Sequence, residues 1–173
     1  MPRYTRMGEI PRKRHIQFRK PDGGLYAEEV FGTKGFSGIA STLYHAQPPT
    51  RAGAYRDLGA VGPQFGDGEA LQHRHLKTQP LAAPGDPVSG RTPLLANSDV
   101  SLGLCVPAEP MDYFYKNADG DELLFVHRGA GRLETQFGTL SYGPGDYLVI
   151  PRGIIYRVVA EAGETRMLVI ESP

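Results

Sequence analysis

Short apolar runs bounded by turn residues dominate the second half of the chain. From about residue 97 they recur at a regular spacing, as SDVSLGLCV, DELLFVH, GRLETQF, GTLSY, DYLVI, IIYRVV and TRMLVIE. Regularly spaced short strands with turn signals between them are typical of an all-β sandwich or barrel. No stretch of the sequence shows sustained helical periodicity. We therefore predict that residues 97–173 form one β-barrel domain.

The first half is patterned differently. Residues 39–45 read as a strand, because they are rich in β-branched and aromatic residues, and residues 24–31 fit either a strand or a short helical turn. Residues 46–70 and 80–93 are loop-like, with many Pro and Gly residues. We therefore predict that residues 1–96 form an extended, loop-rich N-terminal region with a few strands.

Composition narrows the class of protein. The chain has 173 residues, including 22 Gly and 15 Pro, which favours turns and short strands over long helices. Its formal net charge is zero, so neither nucleic acid nor an anionic membrane is expected as a partner. No apolar run is long enough to span a membrane, and we expect a soluble, cytoplasmic protein. The single cysteine, Cys105, lies in an apolar run and is expected to pack as a small buried hydrophobe.

Two coupled spacings lie within residues 120–158. Glu122 is followed by six residues and then Gly129, and Gly145 is followed by five residues and then Pro151-Arg152-Gly153. This layout resembles the two motifs of the cupin family, whose fold is a double-stranded β-helix, or jelly-roll barrel. The resemblance implies an all-β cupin barrel with a long loop-rich N-terminal extension.

The metal-ligand positions of those motifs are changed in this chain. Cupins place a His-x-His pair before the glutamate and another histidine after the Pro-x-Gly turn. The residues at these positions are Tyr115 and Asn117 (Lys116 and Ala118 with the shorter of two spacers), and then Tyr156. Only Glu122 remains, and one carboxylate does not make a catalytic site for a divalent metal. We therefore predict a barrel that holds no metal.

The residues that replace the ligands define a candidate site. Tyr115, Asn117, Glu122 and Tyr156 are predicted to point toward a shared barrel interior. They would form either a hydrogen-bonded polar plug or a residual pocket in contact with a ligand. His73 and His75 would share one face of a strand, but no third ligand is evident, so they are taken as surface or interface histidines.

A closer resemblance extends over most of the chain. The block MDYFYKNADGDELLFVHRGAGRLETQFGTLSYGPGDYLVIPRGIIYRV resembles the N-terminal cupin of the homogentisate 1,2-dioxygenase family. The likeness rests on FYKNADGDELLFV, on TQFG and on the IPRG-x-x-Y/F segment. Upstream, GEIPRKRHIQFRKPDG resembles the start of the bacterial branch.

The resemblance implies an oxidoreductase with two cupins. In that family the first barrel has lost its metal, and the second holds Fe(II) through two histidines and a glutamate. The enzyme is an extradiol-type, ring-cleaving dioxygenase that converts homogentisate and O2 to maleylacetoacetate in tyrosine and phenylalanine catabolism. A second, iron-binding cupin is therefore expected beyond residue 173, with an aromatic substrate and a homo-oligomeric assembly. No catalytic residue and no cofactor is expected in this chain, which alone would be inactive.

Two other functions compete with this interpretation. The chain could be a stand-alone, metal-free cupin that binds a small polar or aromatic ligand through the four interior residues. It could also be an isomerase or epimerase in which Tyr156 and Glu122 serve as acid and base, provided both lie within hydrogen-bond reach of a substrate.

Overall fold

The computed structural model describes residues 18–32, 34–35, 37–49, 52–59 and 73–172. Within those ranges every regular element is a β-strand, so the predicted all-β class is confirmed. No helix in the described part of the chain has the length and apolar character needed to cross a membrane. The chain divides into two compact units, Met1–Leu58 and Gly59–Pro173.

The first unit contains an antiparallel hairpin of β1 (Ala27–Gly32) and β2 (Ala40–His45). The predicted strand at 39–45 is confirmed, and the ambiguous segment at 24–31 contributes to a strand. His45 Nε2 lies 2.8 Å from Glu29 Oε2, on the neighbouring strand. His45 is thereby part of a cross-strand pair rather than of a metal site.

The described residues of the second unit form nine strands, which build two antiparallel sheets. They are β3 (Arg91–Ala96), β4 (Ser101–Cys105), β5 (Tyr115–Lys116), β6 (Asp121–Arg128), β7 (Gly131–Thr135), β8 (Gly138–Tyr142), β9 (Tyr147–Ile150), β10 (Ile155–Ala160) and β11 (Arg166–Ser172). One sheet has the order β5-β10-β7-β8, and the other has the order β3-β4-β11-β6-β9. Many neighbouring strands in these sheets are far apart in the sequence, which is the jelly-roll order of a cupin. The two sheets do not close into a continuous barrel.

The core lies between the two sheets and follows from residue alternation. Strand β6 shows it clearly, because Glu122, Leu124 and Val126 are buried while the residues between them are more exposed. Successive side chains of a strand point to opposite faces, so every second residue enters the space between the sheets. Cys105 is 1% exposed and belongs to this core, as predicted.

The turns between strands also match the sequence pattern. In the turn after β8, Asp146 N donates to Gly143 O at 3.2 Å, and Gly145 has a φ of 94°. In the turn after β9, Ile154 N donates to Pro151 O at 3.2 Å, and Gly153 has a φ of 85°. Glycine adopts positive φ at no steric cost, which explains why both turns carry it at that position.

Strand β3 was not predicted. The loop expected over residues 80–93 is wrong at its end, because Arg91–Ala96 pairs with β4 in the five-stranded sheet. Pro93 argued against a strand, but β3 is an edge strand with a register shift between Pro93 and Leu95, which is where a proline is tolerated. The boundary drawn between residues 96 and 97 thus falls between two paired strands.

Candidate functional site

The two buried members of the candidate site come from opposite sheets. Glu122 is the first inward residue of β6, and Tyr156 is an inward residue of β10. Glu122 is 1% exposed and Tyr156 is 0% exposed. The Tyr156 hydroxyl donates a hydrogen bond to Glu122 Oε2 at 2.8 Å. The alternation of inward and outward side chains along β6 and β10 therefore places a carboxylate and a phenol at the same point between the sheets.

A third residue, Arg91, completes this cluster and was missed in the sequence. Its Nη1 donates to Glu122 Oε1 at 2.5 Å, and its Nη2 donates to the Tyr156 hydroxyl oxygen at 3.0 Å. Its Nε donates to the backbone oxygen of Pro87 at 3.0 Å. Arg91, Glu122 and Tyr156 thus form a closed hydrogen-bonded triangle, which we call the interior triad.

Electrostatics fix the charge states of two triad members, Arg91 and Tyr156. Burial acts to lower the pKa of Arg91, but the neighbouring Tyr156 and Glu122 outweigh it and raise that pKa above its usual value. Burial, together with Glu122, raises the pKa of Tyr156, although Arg91 opposes the shift. The guanidinium therefore stays charged and the phenol stays neutral near neutral pH. The buried carboxylate has a full counter-charge beside it, as buried charges require.

Tyr115 lies next to the triad without joining its hydrogen bonds. It is the strand partner of Tyr156 across β5 and β10, and the two ring centroids are 5.6 Å apart at an angle of 86°. This edge-to-face arrangement is favourable for aromatic rings. Burial and then the charge of Glu122 raise the pKa of Tyr115. Its hydroxyl makes no hydrogen bond to any described residue.

Asn117 organises the loop between β5 and β6. Its Oδ1 accepts from the backbone N–H groups of Asp119 and Gly120, both at 3.0 Å. Its Nδ2 donates to Glu171 Oε1 at 2.9 Å, and Glu171 is the register partner of Glu122. The structure therefore brings all four predicted residues to one end of the space between the sheets, where Asn117 makes loop-stabilising bonds.

The residues present do not fit a catalytic metal. Among the described residues no group of three His, Cys, Asp or Glu side chains is close enough to hold an ion. Both Glu122 oxygens already accept hydrogen bonds, one from a guanidinium and one from a phenol. A divalent cation would have to displace Arg91 against its positive charge. The sites of ring-opening iron enzymes need imidazole ligands in addition to a carboxylate, and none lies here.

The histidines of the second unit lie away from the triad. His73 and His75 are exposed and belong to no regular element. His127 is an exposed residue near the end of β6 and does not pack in the core. His15, which carried no assignment, lies outside the described residues.

Clefts of about 570, 280 and 680 Å³ lie elsewhere among the described residues of the second unit, and no triad residue lines any of the three. The first lies over the outer side of the five-stranded sheet.

A buried carboxylate such as that of Glu122 indicates that a cation must accompany it. The sequence, however, has no periodicity that points to Arg91, which is 31 residues away.

The comparisons with known proteins agree on one family. A family model described as "Homogentisate 1,2-dioxygenase N-terminal" matches residues 7–172. A protein named "Putative dioxygenase" from Saccharolobus solfataricus is 41% identical over 157 residues, which cover 88% of this chain and 40% of that protein. A homogentisate 1,2-dioxygenase from Pseudomonas putida is 29% identical over 168 residues, which cover 89% of this chain and 38% of the relative.

Solved structures that are similar include a cupin-2 domain protein from Shewanella frigidimarina. Its TM-score is 0.43 at 21% identity, and the match covers 49% of this chain and 80% of that one. The chain spans about two fifths of the length of the curated relatives that it matches.

Proposed function

Because the chain belongs to the homogentisate 1,2-dioxygenase N-terminal family, we propose that it acts as the N-terminal structural part of a ring-cleaving dioxygenase. The observation that carries this proposal is the family match over residues 7–172. The proposed reaction is the extradiol-type opening of homogentisate by O2 to give maleylacetoacetate, a step in tyrosine and phenylalanine catabolism. The aromatic substrate and the homo-oligomer belong to the same proposal.

We propose that the metal of the enzyme is bound outside these 173 residues. Relatives are two to three times as long as the part that matches, so there is room in them for a second barrel. We propose that this second cupin binds Fe(II), since the interior triad already satisfies Glu122 with Arg91. The lone, buried Cys105 is compatible with a reducing cytoplasm, which we propose as the location.

We assign the triad a structural role. It links β3, β6 and β10, and therefore joins the edge of one sheet to the middle of the other. A satisfied buried network of this kind favours one arrangement of strands, because a shifted register would leave a charge unpaired. In this role Arg91, Glu122 and Tyr156 stabilise the packing of the two sheets and contact no substrate.

Ligand binding is the second candidate, and one observation favours it. Tyr115 is half-buried beside the triad, and its hydroxyl makes no hydrogen bond to the described residues, so it could meet a polar ligand. Against this, the polar atoms of Glu122 and Tyr156 are occupied by one another and by Arg91. We therefore prefer the plug over the pocket.

The test compares the 173-residue chain with the complete gene product of the source organism. We expect the complete product to be well above the size of this chain, to contain iron, and to consume O2 when homogentisate is added. The 173-residue chain should do neither. A complete product of only 173 residues, or ring cleavage by this chain alone, would overturn the proposal.

A second measurement separates the plug from the pocket. The melting temperature of the 173-residue chain should not change when homogentisate or a related aromatic acid is added. Tyr115→Phe is the matched variant, because it removes only the free hydroxyl. A melting shift that is present in the native chain and lost in Tyr115→Phe would establish the ligand pocket.

A further inference from the structure

The outer face of the five-stranded sheet is apolar. The register aligns Tyr147, Phe125, Leu168 and Leu104 in one row across four strands. A second row consists of Val149, Leu123, Ile170, Leu102 and Leu95. These nine side chains form a continuous surface, which we call the apolar face. Three are well exposed, namely Leu95 at 53%, Tyr147 at 65% and Val149 at 66%, whereas Leu104 is only 6% exposed.

The outer face of the other sheet has the opposite chemistry. There the register aligns Arg157 with Glu134 and Thr139, and Val159 with Arg132 and Ser141. Arg157 Nη2 and Glu134 Oε2 are 2.6 Å apart. An antiparallel sheet with one solvated side is expected to carry polar side chains there. The apolar face is therefore a specific property of the five-stranded sheet.

Apolar residues on both sides of a strand indicate that both sides are buried. In β6, β9 and β11 the inward residues pack in the core, and the central outward residues, such as Phe125, Val149 and Ile170, are also apolar. Runs of this kind occur in sheets that are covered on both faces. Transient interfaces are about as polar as ordinary surface, whereas permanent ones are more apolar. The apolar face thus has the composition of a permanent interface.

A cleft of about 570 Å³ lies at one end of this face. Leu104, Phe125 and Leu168 contribute its apolar lining, while His127, Arg128 and Arg166 contribute polar groups. Both arginines pair with Glu164, at 3.2 and 3.4 Å, and Arg166 also donates to the backbone oxygens of Thr78 and Gln79, at 3.1 and 3.0 Å. His127 has no hydrogen-bond partner among the described residues. The cleft therefore suits an apolar side chain, which would meet Leu104, Phe125 and Leu168.

We propose that the apolar face is the docking surface for the part of the polypeptide that the longer relatives have and that these 173 residues do not include. This inference rests on the proposed function. The relatives are the source of the occupant, because this chain spans only 38–40% of their length. The occupant presents an apolar sheet face of its own, with an apolar side chain that enters the cleft. Two such faces would pack about 10 Å apart, as stacked sheets do.

Cysteine labelling tests the proposal on the complete gene product and on the 173-residue chain. Val149→Cys places a thiol on the apolar face, and Ser141→Cys places one on the polar outer face of the other sheet as the matched control. Native Cys105 is 1% exposed and should react slowly with a maleimide. In the 173-residue chain both new thiols should react quickly. In the complete product the Val149→Cys thiol should react at least about tenfold more slowly, while Ser141→Cys is unchanged.

Each other outcome overturns the proposal. Fast reaction of Val149→Cys in both proteins would show that nothing covers the face, and slow reaction in both would show that the 173-residue chain covers it itself. Protection that grows with the concentration of the 173-residue chain would identify a second copy as the occupant. A complete product of only 173 residues would remove the occupant altogether. Oxygen uptake with homogentisate is measured separately, so protection without activity would contradict the proposed reaction and leave the docking surface intact.

Discussion

Two buried tyrosines pair with opposite ends of β7, and they differ in how their hydroxyl groups are satisfied. Tyr156 is the register partner of Thr135, and its hydroxyl bonds to both Arg91 and Glu122. Tyr142 is the register partner of Gly131, and its hydroxyl has no hydrogen-bond partner among the described residues. One end of the space between the sheets is therefore a complete polar network, and the other is a close-packed core with a spare hydroxyl.

The difference between the two hydroxyl groups shows which buried polar groups contribute to the stability of the fold. At the triad end, removal of one member leaves a charged or polar group without its partner, which is costly. At the Tyr142 end, the hydroxyl contributes no bond, and burial raises the pKa of Tyr142 to about 12. Stability should thus depend on hydrogen-bond chemistry at one end and on shape at the other.

The largest expected effect is at Arg91. Arg91→Met leaves the Glu122 carboxylate, whose side chain is 0% exposed, without its counter-charge. We expect the free energy of unfolding to fall by about 3–5 kcal/mol, as measured by urea denaturation. The double variant Arg91→Met with Glu122→Met should recover most of this loss, because it removes both charges together.

Arg132→Met is the matched control for Arg91→Met. Arg132 lies on the polar outer face, with a 52% exposed side chain, 3.9 Å from Glu134. Its removal should change the free energy of unfolding by less than about 0.5 kcal/mol. If Arg91→Met and Arg132→Met cost the same, the triad does not hold the fold at its end of the core.

The variant Gly131→Ala tests how tightly the core is packed at the Tyr142 end. A Cβ at Gly131 would overlap the carbonyl oxygen of Val159 and lie 2.6 Å from the Tyr142 hydroxyl oxygen. We expect a loss of about 2–3 kcal/mol in the free energy of unfolding, because the β10 backbone must shift to make room. Gly143→Ala is the control, since nothing lies within 4 Å of its added methyl group, and it should be near neutral. Equal stability of both variants would refute the tight packing inferred for this end.

The tyrosines themselves give the most direct comparison. Tyr156→Phe removes a hydroxyl with two hydrogen-bond partners and should cost about 1–3 kcal/mol of the free energy of unfolding. Tyr142→Phe removes a buried hydroxyl without one and should be neutral or stabilise by up to about 1 kcal/mol. Thermal unfolding of the two variants side by side measures the difference. A larger loss for Tyr142→Phe would mean that its hydroxyl has a partner after all.

The sequence predicted the strands of this fold better than it predicted the contents of its interior. Strands β6 to β11 could be read because apolar alternation and glycine turns are local signals. Strand β3 was missed because Pro93 looks like a loop residue, and its role at a sheet edge depends on neighbours far along the chain.

The contents of the interior were partly predictable, because strand alternation is a local signal in the sequence. The cupin spacing brings Glu122 and Tyr156 to one level, since strand alternation and register fix where each side chain points. Arg91 reaches them from another strand through a long flexible side chain, and no periodicity encodes that reach. Asn117 lies in the right place, but its bonds to the loop depend on backbone geometry that spacing does not reveal.

The smallest expected effect concerns the turn that positions Arg91. Asp86 accepts from Val88 N at 2.7 Å and from Ser89 Oγ at 2.7 Å, and Pro87 in this turn accepts from Arg91 Nε. Burial acts to raise the pKa of Asp86, but the hydrogen bonds from Ser89, Val88 and Tyr113 outweigh it and lower that pKa below 3.8. A carboxyl group with a depressed pKa stabilises the folded state above its unfolded pKa, and this contribution is lost as pH falls through the folded value.

Asp86→Asn therefore separates the charge of this turn from its shape. Asparagine keeps an acceptor oxygen for the turn but removes the titrating charge, so we expect a loss below about 1 kcal/mol at pH 7. The gap in unfolding free energy between native and variant chains should shrink as pH falls below about 4 and close below the lowered folded pKa, where the native carboxylate is protonated. Asp112→Asn, at an exposed position, should cost less than about 0.5 kcal/mol at pH 7. A gap for Asp86→Asn that stays constant down to pH 3 would show that the turn is held by geometry alone, and that the charge of Asp86 adds nothing to the placement of Arg91.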